Sequence, residues 1–118
     1  MQTLTDLTEL ILRFRADRHW EQFHNPKDVA LSLTLEAAEL LELTQWKNGP
    51  ELLEQLKANK EAVGDELSDI LGWVLIFAHD QGIDLADAFK KKIAKNEAKY
   101  PVEKARGSAR KYTDYQEE

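Results

Sequence analysis

Glu36 and Glu39 lie three residues apart, and Glu66 and Asp69 repeat that spacing after 26 intervening residues. Positions three, four or seven apart share one face of a helix. Glu36 therefore lines up with Val29, Leu33, Leu40 and Leu43, inside an apolar stripe. Glu39 falls one turn on, at the edge of that stripe, beside Leu43 and Trp46. Glu66 shares its face with Val63, Ile70 and Trp73, and Asp69 shares its face with Trp73 and Ile76. Two helices thus each present two carboxylates toward what should be core. Carboxylates are seldom buried unless paired. Two of them about 4 Å apart repel by roughly 4 kcal/mol at an effective dielectric near 20. Such a cluster needs protons or cations, and an oxygen-only ligand set suits Mg²⁺ or Mn²⁺. Mg²⁺ completes its shell with water and substrate phosphates, so the matching ligand is a nucleotide or similar phosphoester. The plainer alternative pairs these acids, at stripe edges, with Lys47, Lys60 or an arginine. Two matched pairs on two long helices favour the site. Glu42, Glu51, Glu54 and Glu61 read as ordinary solvated acids.

The elements that would position these residues are all helical. Asp6 and Glu9 have capping-box spacing, and Leu7, Leu10, Ile11 and Phe14 follow at helical intervals. Asn25-Pro26 reads as an N-cap and first helical residue, opening a helix that runs to about Trp46 before Asn48-Gly49-Pro50. Glu51 to Asn59 is a short helix or a ragged start to the next one. A longer helix runs from Lys60 to about Gln81, with Gly82 as its stop. Asp84 caps a last helix from Leu85 to about Lys99, ended by Pro101, and a tail without periodicity follows. No segment alternates as a strand would. The expected architecture is all-α, a four-helix bundle-like subunit in a single domain over 1–118, with a flexible basic tail over 101–118. Ile70 to Ala78 is apolar nearly all round, so it should be buried on most sides, and the surplus apolar surface predicts a homo-oligomer.

Composition excludes several classes. The 118 residues carry 16 Lys plus Arg against 22 Asp plus Glu, a net charge of −6, which argues against a general nucleic-acid-coating protein. At 42% apolar the chain has enough for a packed core. Without cysteine there is no disulfide, zinc-thiolate site or thiol nucleophile, and an intracellular, cytoplasmic setting is the default expectation. The charged first twenty residues do not read as a signal peptide. No apolar run approaches the ~20 residues of a membrane helix, so a soluble protein without a membrane partner is expected. No Ser/His/Asp set or glycine-rich phosphate loop points to covalent or Walker-type chemistry.

Three tryptophans need an account. Core packing explains Trp73 as well as a pocket role does. Trp20 and Trp46 fall near helix ends, where full burial is less natural, and aromatic rings there can stack a base. Discrimination between bases needs polar groups at the base edge, for which Gln22, His24 and Gln45 are candidates. If water attacks a phosphoanhydride, a carboxylate at the wet edge of the stripe can orient or deprotonate it, and Glu39 holds that position.

Glu36-Ala-Ala-Glu39 followed by Glu66-Leu-Ser-Asp69 resembles the paired acidic motif of the MazG-like all-α nucleotide pyrophosphohydrolases. Trp20-Glu21-Gln22-Phe23-His24, Gln45-Trp46-Lys47, Lys99-Tyr100-Pro101 with the residues after it, and Ser108-Ala109-Arg110-Lys111-Tyr112 are similar to the dCTP pyrophosphatase branch. The likeness spans about residues 7 to 112. It implies hydrolysis of (deoxy)nucleoside triphosphates, dCTP or a modified dCTP among them, to monophosphate and pyrophosphate. It also implies a homotetramer built as a dimer of dimers. By the same likeness, Glu36, Glu39, Glu66 and Asp69 hold Mg²⁺, Trp20 and Trp46 enclose the base, and Trp73 lines the pocket where relatives carry tyrosine. Asn96, Lys99, Arg106, Arg110 and Lys111 are implied as sugar and phosphate contacts. Ile11 stands where members of that branch have histidine.

Two other readings fit part of the pattern. A di-iron carboxylate bundle needs Glu-x-x-His on two helices, and this chain has that spacing once, at Glu21 and His24. A non-enzymatic helical oligomerisation module explains the apolar helices but not acids inside their stripes.

Overall fold

The computed structural model describes residues 2–109. Every regular element among them is helical: α1 (Leu4–Asp17), a single 3-10 turn (Glu21–Phe23), α2 (Pro26–Glu42), α3 (Gly49–Ala58), α4 (Lys60–Asp80), α5 (Leu85–Lys99) and α6 (Val102–Ala105). Contacts divide the chain into two units, one ending at Gly82 and the other starting at Ile83.

In the first unit α4 is the central helix. α2 and α1 pack along it, and α3 touches it more briefly. The innermost residues are Val29 of α2 with Leu75, Ile76 and Ala78 of α4. From Ile70 to Ala78 only Leu71 is exposed. This agrees with the all-round apolar character of that stretch, since such a helix must find cover on several sides. α4 stops where expected: Gly82 takes a φ of +66°, and its N–H donates to the His79 carbonyl at 3.1 Å.

Three local expectations are corrected. α1 starts three residues earlier than the Asp6-Glu9 spacing implied. The Asp6 N–H donates to the Thr3 hydroxyl at 3.1 Å, and the Asp6 carboxylate accepts from the Thr3 N–H at 3.0 Å. Asp6 is therefore the third helical residue, closing a capping box that Thr3 opens, rather than the cap. α2 ends at Glu42, not near Trp46. The Thr44 N–H and hydroxyl both turn back to the Leu41 carbonyl at 2.9 Å, and the Gln55 amide of α3 donates to the Leu43 carbonyl at 3.2 Å. Those bonds satisfy end carbonyls that another helical turn would have used. Finally, the segment after Pro101 is not without regular structure: the Pro101 carbonyl accepts from Lys104 and Ala105 and opens the four-residue α6.

In the second unit, Asp84 caps α5 by accepting from the Asp87 N–H at 3.1 Å, and Lys91 pairs with Asp87 at 2.9 Å on the exposed face. So three of the four long helices pack in the first unit, while α5 belongs to the second. No helix of the described residues is long and apolar enough to cross a membrane.

Candidate active site

α2 and α4 run side by side, which brings their acidic faces together. One carboxylate oxygen from each of Glu36, Glu39 and Glu66 lies within 4.8 Å of the others. Glu36 and Glu66 are half-buried and Glu39 is exposed. This matches their stripe positions: the first two lie in the apolar seam and Glu39 on its rim. Asp69 stands outside that trio, yet its charge acts on Glu36, and both line the same cleft. Neither Lys47 nor Lys60 forms an ion pair with any of the four; the ion pairs among the described residues are Arg15–Asp80 and Lys91–Asp87.

The electrostatic cost of the cluster is visible in its protonation. Glu66 is pushed up to about 7, first by the facing Glu36 carboxyl, then by burial and by Glu39. Glu36 gains from its pairing with Glu66, but burial and the Glu39 and Asp69 charges outweigh that gain and hold it above the ordinary carboxylate range. A carboxyl whose folded value exceeds its unfolded value binds an extra proton on folding. The metal-free chain therefore gains stability from Glu66 as pH falls from about 7 toward 4.5, and loses that gain as pH rises through about 7. Glu36 Oε2 and Glu66 Oε2 are buried and have no hydrogen-bond partner among the described residues. Two buried, unpartnered oxygens within a cluster of mutually repelling carboxylates make a set that a hard divalent cation fits.

Beside the trio opens a cleft of about 190 Å³ between α1, α4 and the turn that joins α1 to α2. α1 contributes Ile11, Phe14 and Arg15, the turn contributes Trp20 and His24, and Glu36, Asp69, Trp73 and Ile76 are among its other walls. His24 meets the Trp73 ring edge-on at 5.2 Å between centroids, and Trp20 meets Phe14 likewise at 5.7 Å. Burial, and then the nearby Arg15 charge, hold His24 below the ordinary imidazole value, so it is neutral near pH 7. The lining combines aromatic rings with carboxylates. A nucleotide combines the matching groups, an aromatic base and metal-binding phosphates.

The structure therefore gathers Glu36, Glu39 and Glu66, and it gathers Trp20, His24, Trp73, Glu36 and Asp69. It does not bring Trp46 to that cleft. Trp46 is 84% exposed, because α2 ends four residues before it and the helical register that would set it beside Glu39 and Leu43 is gone. Asn96 is half-buried, and Lys99 and Arg106 are exposed, all in the second unit. Arg110 and Lys111 lie outside the described residues. His24 is not among the clustered ligands, so Glu21 and His24 do not build a di-iron pattern with the trio.

Sequence reasoning missed Arg15 and Asp80. Arg15 is 6% exposed, and its terminal nitrogens bind both Asp80 oxygens at 2.8 and 2.9 Å. The hydrogen bonds from Arg15 hold Asp80 below the ordinary carboxylate range. The signal was available: Arg15 shares a helix face with Ile11 and Leu12, and Asp80 with Trp73, Ile76 and Phe77, the same anomaly that singled out Glu36.

Helices that carry a carboxylate cluster beside an aromatic cleft define the class of site. A family model described as the MazG-like family matches residues 31–115. The dCTP pyrophosphatase 1 of Mus musculus is 44% identical over 114 residues, covering 95% of this chain and 67% of its own length. The Homo sapiens protein of that name is 41% identical over the same length, covering 95% of this chain and 67% of its own. The crystal structure of a pyrophosphatase from Archaeoglobus fulgidus superposes with a TM-score of 0.80 at 36% identity, covering 86% of this chain and 94% of that one. The chain belongs to the MazG-like family.

Proposed function

We propose that this protein hydrolyses the anhydride between the α and β phosphoryl groups of nucleoside triphosphates, with dCTP as a substrate, giving the monophosphate and pyrophosphate. One observation carries this reading: carboxylates of α2 and α4 converge, with buried unpartnered oxygens, beside an aromatic cleft. The relatives named dCTP pyrophosphatase 1 support the choice of base.

In this account Glu36, Glu39 and Glu66, with Asp69 adjoining, hold divalent metal, Mg²⁺ by preference and Mn²⁺ as a substitute. A cation held there would supply charge neutralisation for the phosphates. Trp20 and Trp73 take the base between aromatic walls, which exclude water and fix the triphosphate relative to the acids. Glu39 faces solvent within the trio. It is our candidate to orient the attacking water and accept its proton. Asn96, Lys99 and Arg106, with Arg110 and Lys111 from the C-terminal segment, are the proposed sugar and phosphate contacts. We read residues 1–118 as one catalytic domain with a C-terminal tail from 101, in which Lys104, Arg106, Arg110 and Lys111 are balanced by four acidic residues. Large apolar side chains stay exposed on the single chain, including Leu31, Leu35 and Leu41 of α2 and Phe89 of α5. They favour a homotetramer in which copies cover these surfaces.

The test is a panel of ribo- and deoxynucleoside triphosphates with Mg²⁺, scored for pyrophosphate against orthophosphate. Pyrophosphate and monophosphate in equal amounts, with dCTP among the best substrates, is the expected result. Release of orthophosphate, or no turnover of any triphosphate, contradicts the proposal.

A further inference from the structure

The inner wall of the cleft holds a polar group that neither the carboxylates nor the aromatic walls account for. Arg15 lines it, and the Arg15 side chain is 8% exposed. Both its terminal nitrogens are committed to Asp80. Its third nitrogen, Nε, is buried, and its N–H has no hydrogen-bond partner among the described residues. His24, on the same cleft, has a buried Nδ1 in the same condition. Buried polar atoms in folded proteins are nearly always partnered, so two orphans on one cavity wall point to a ligand that supplies the partners.

The kind of ligand follows from the ion pair. A guanidinium already clamped end-on by a carboxylate has little net charge left to offer a phosphate. Its one nitrogen without any partner, Nε, holds an N–H fixed in the guanidinium plane. That suits an uncharged acceptor, such as an exocyclic carbonyl oxygen on a nucleobase. The neighbours agree: Trp73 and Trp20 are the surfaces on which a base would stack.

We propose that Arg15, held rigid by Asp80, is a specificity-determining residue whose Nε–H donates to a carbonyl oxygen on the substrate base, beside His24. It selects bases that carry such an oxygen over adenine, which has none. This rests on the triphosphate reading above and names the edge of the base that the same cleft recognises. The discrimination resembles other sites in which a buried polar group is left unpaired by the wrong substrate.

The experiment compares wild type with two variants by two constants: the KM for dCTP, and the inhibition constant of dATP against dCTP turnover. Arg15→Lys keeps a cation beside Asp80 and removes the Nε–H. The double variant Arg15→Met/Asp80→Leu removes the pair altogether, and replacing a buried ion pair with apolar side chains of similar size generally preserves the fold. In both variants the KM for dCTP should rise roughly tenfold, the cost of leaving a buried base oxygen without its donor, while the dATP constant moves by less than about threefold. Equal rises in both constants, or no change in either, would overturn the assignment and leave the triphosphate reading intact. A wild-type chain that releases no pyrophosphate from dCTP overturns that reading, and this one with it.

Discussion

Glu39→Gln should leave a helical protein that barely turns over. The substitution keeps size and helix propensity and removes one charge from the solvent-facing member of the trio. If that carboxylate accepts the proton of the attacking water, kcat falls by roughly 10²–10⁴-fold, the usual worth of a positioned general base. Folding should not suffer, because Glu39 adds to the charge that holds both Glu36 and Glu66 above the ordinary range. Pyrophosphate release under saturating dCTP and Mg²⁺, with far-ultraviolet circular dichroism on the same sample, checks both halves. A variant within a few-fold of wild type moves the proton acceptor elsewhere.

Asp80→Ala should be the most destabilising single change outside the hydrophobic core. It leaves the buried Arg15 guanidinium without the two bonds that now satisfy its terminal nitrogens. The arginine side of the pair is buried while the aspartate side chain is 27% exposed, so the loss costs about 2 kcal/mol or more. Lys91→Ala is the contrast: its pair with Asp87 is exposed on both sides, 72% and 55%, and should cost less than about 0.5 kcal/mol. Urea denaturation midpoints measure both. The Asp80 contribution has its own pH signature. Because pairing lowers the folded value, the stability is present above the ordinary value of 3.8 and is lost as pH falls through the depressed one. Glu66 acts in the opposite sense, from about 7 downward.

What the sequence makes legible follows from the range of the interactions. The acids of α2 and α4 could be read as neighbours because each violates a local period, and a period is a property of a few consecutive turns. The Asn25 and Asp84 caps, and the stop at Gly82, are likewise local. The end of α2 is not legible in the sequence because part of its cause, the Gln55 amide on the Leu43 carbonyl, comes from another helix. Trp46 lost its expected place for the same reason. The Arg15–Asp80 pair spans 65 residues, so each half showed only as a charge in an apolar stripe, with nothing to match the two. In relation to the site, the sequence supplied the carboxylates and the aromatic residues, and the fold supplied the cleft that joins Glu36 and Asp69 to Trp20, His24 and Trp73.

The central claim is that carboxylates from α2 and α4 together hold a divalent cation. Titration of Mn²⁺ into metal-free protein at pH 8, where Glu66 has lost its proton, followed by electron paramagnetic resonance, tests it directly. Saturable binding to wild type is expected, weakened by more than about tenfold in Glu36→Gln/Glu66→Gln while the helical spectrum persists. Equal Mn²⁺ binding by wild type and the double variant would contradict it.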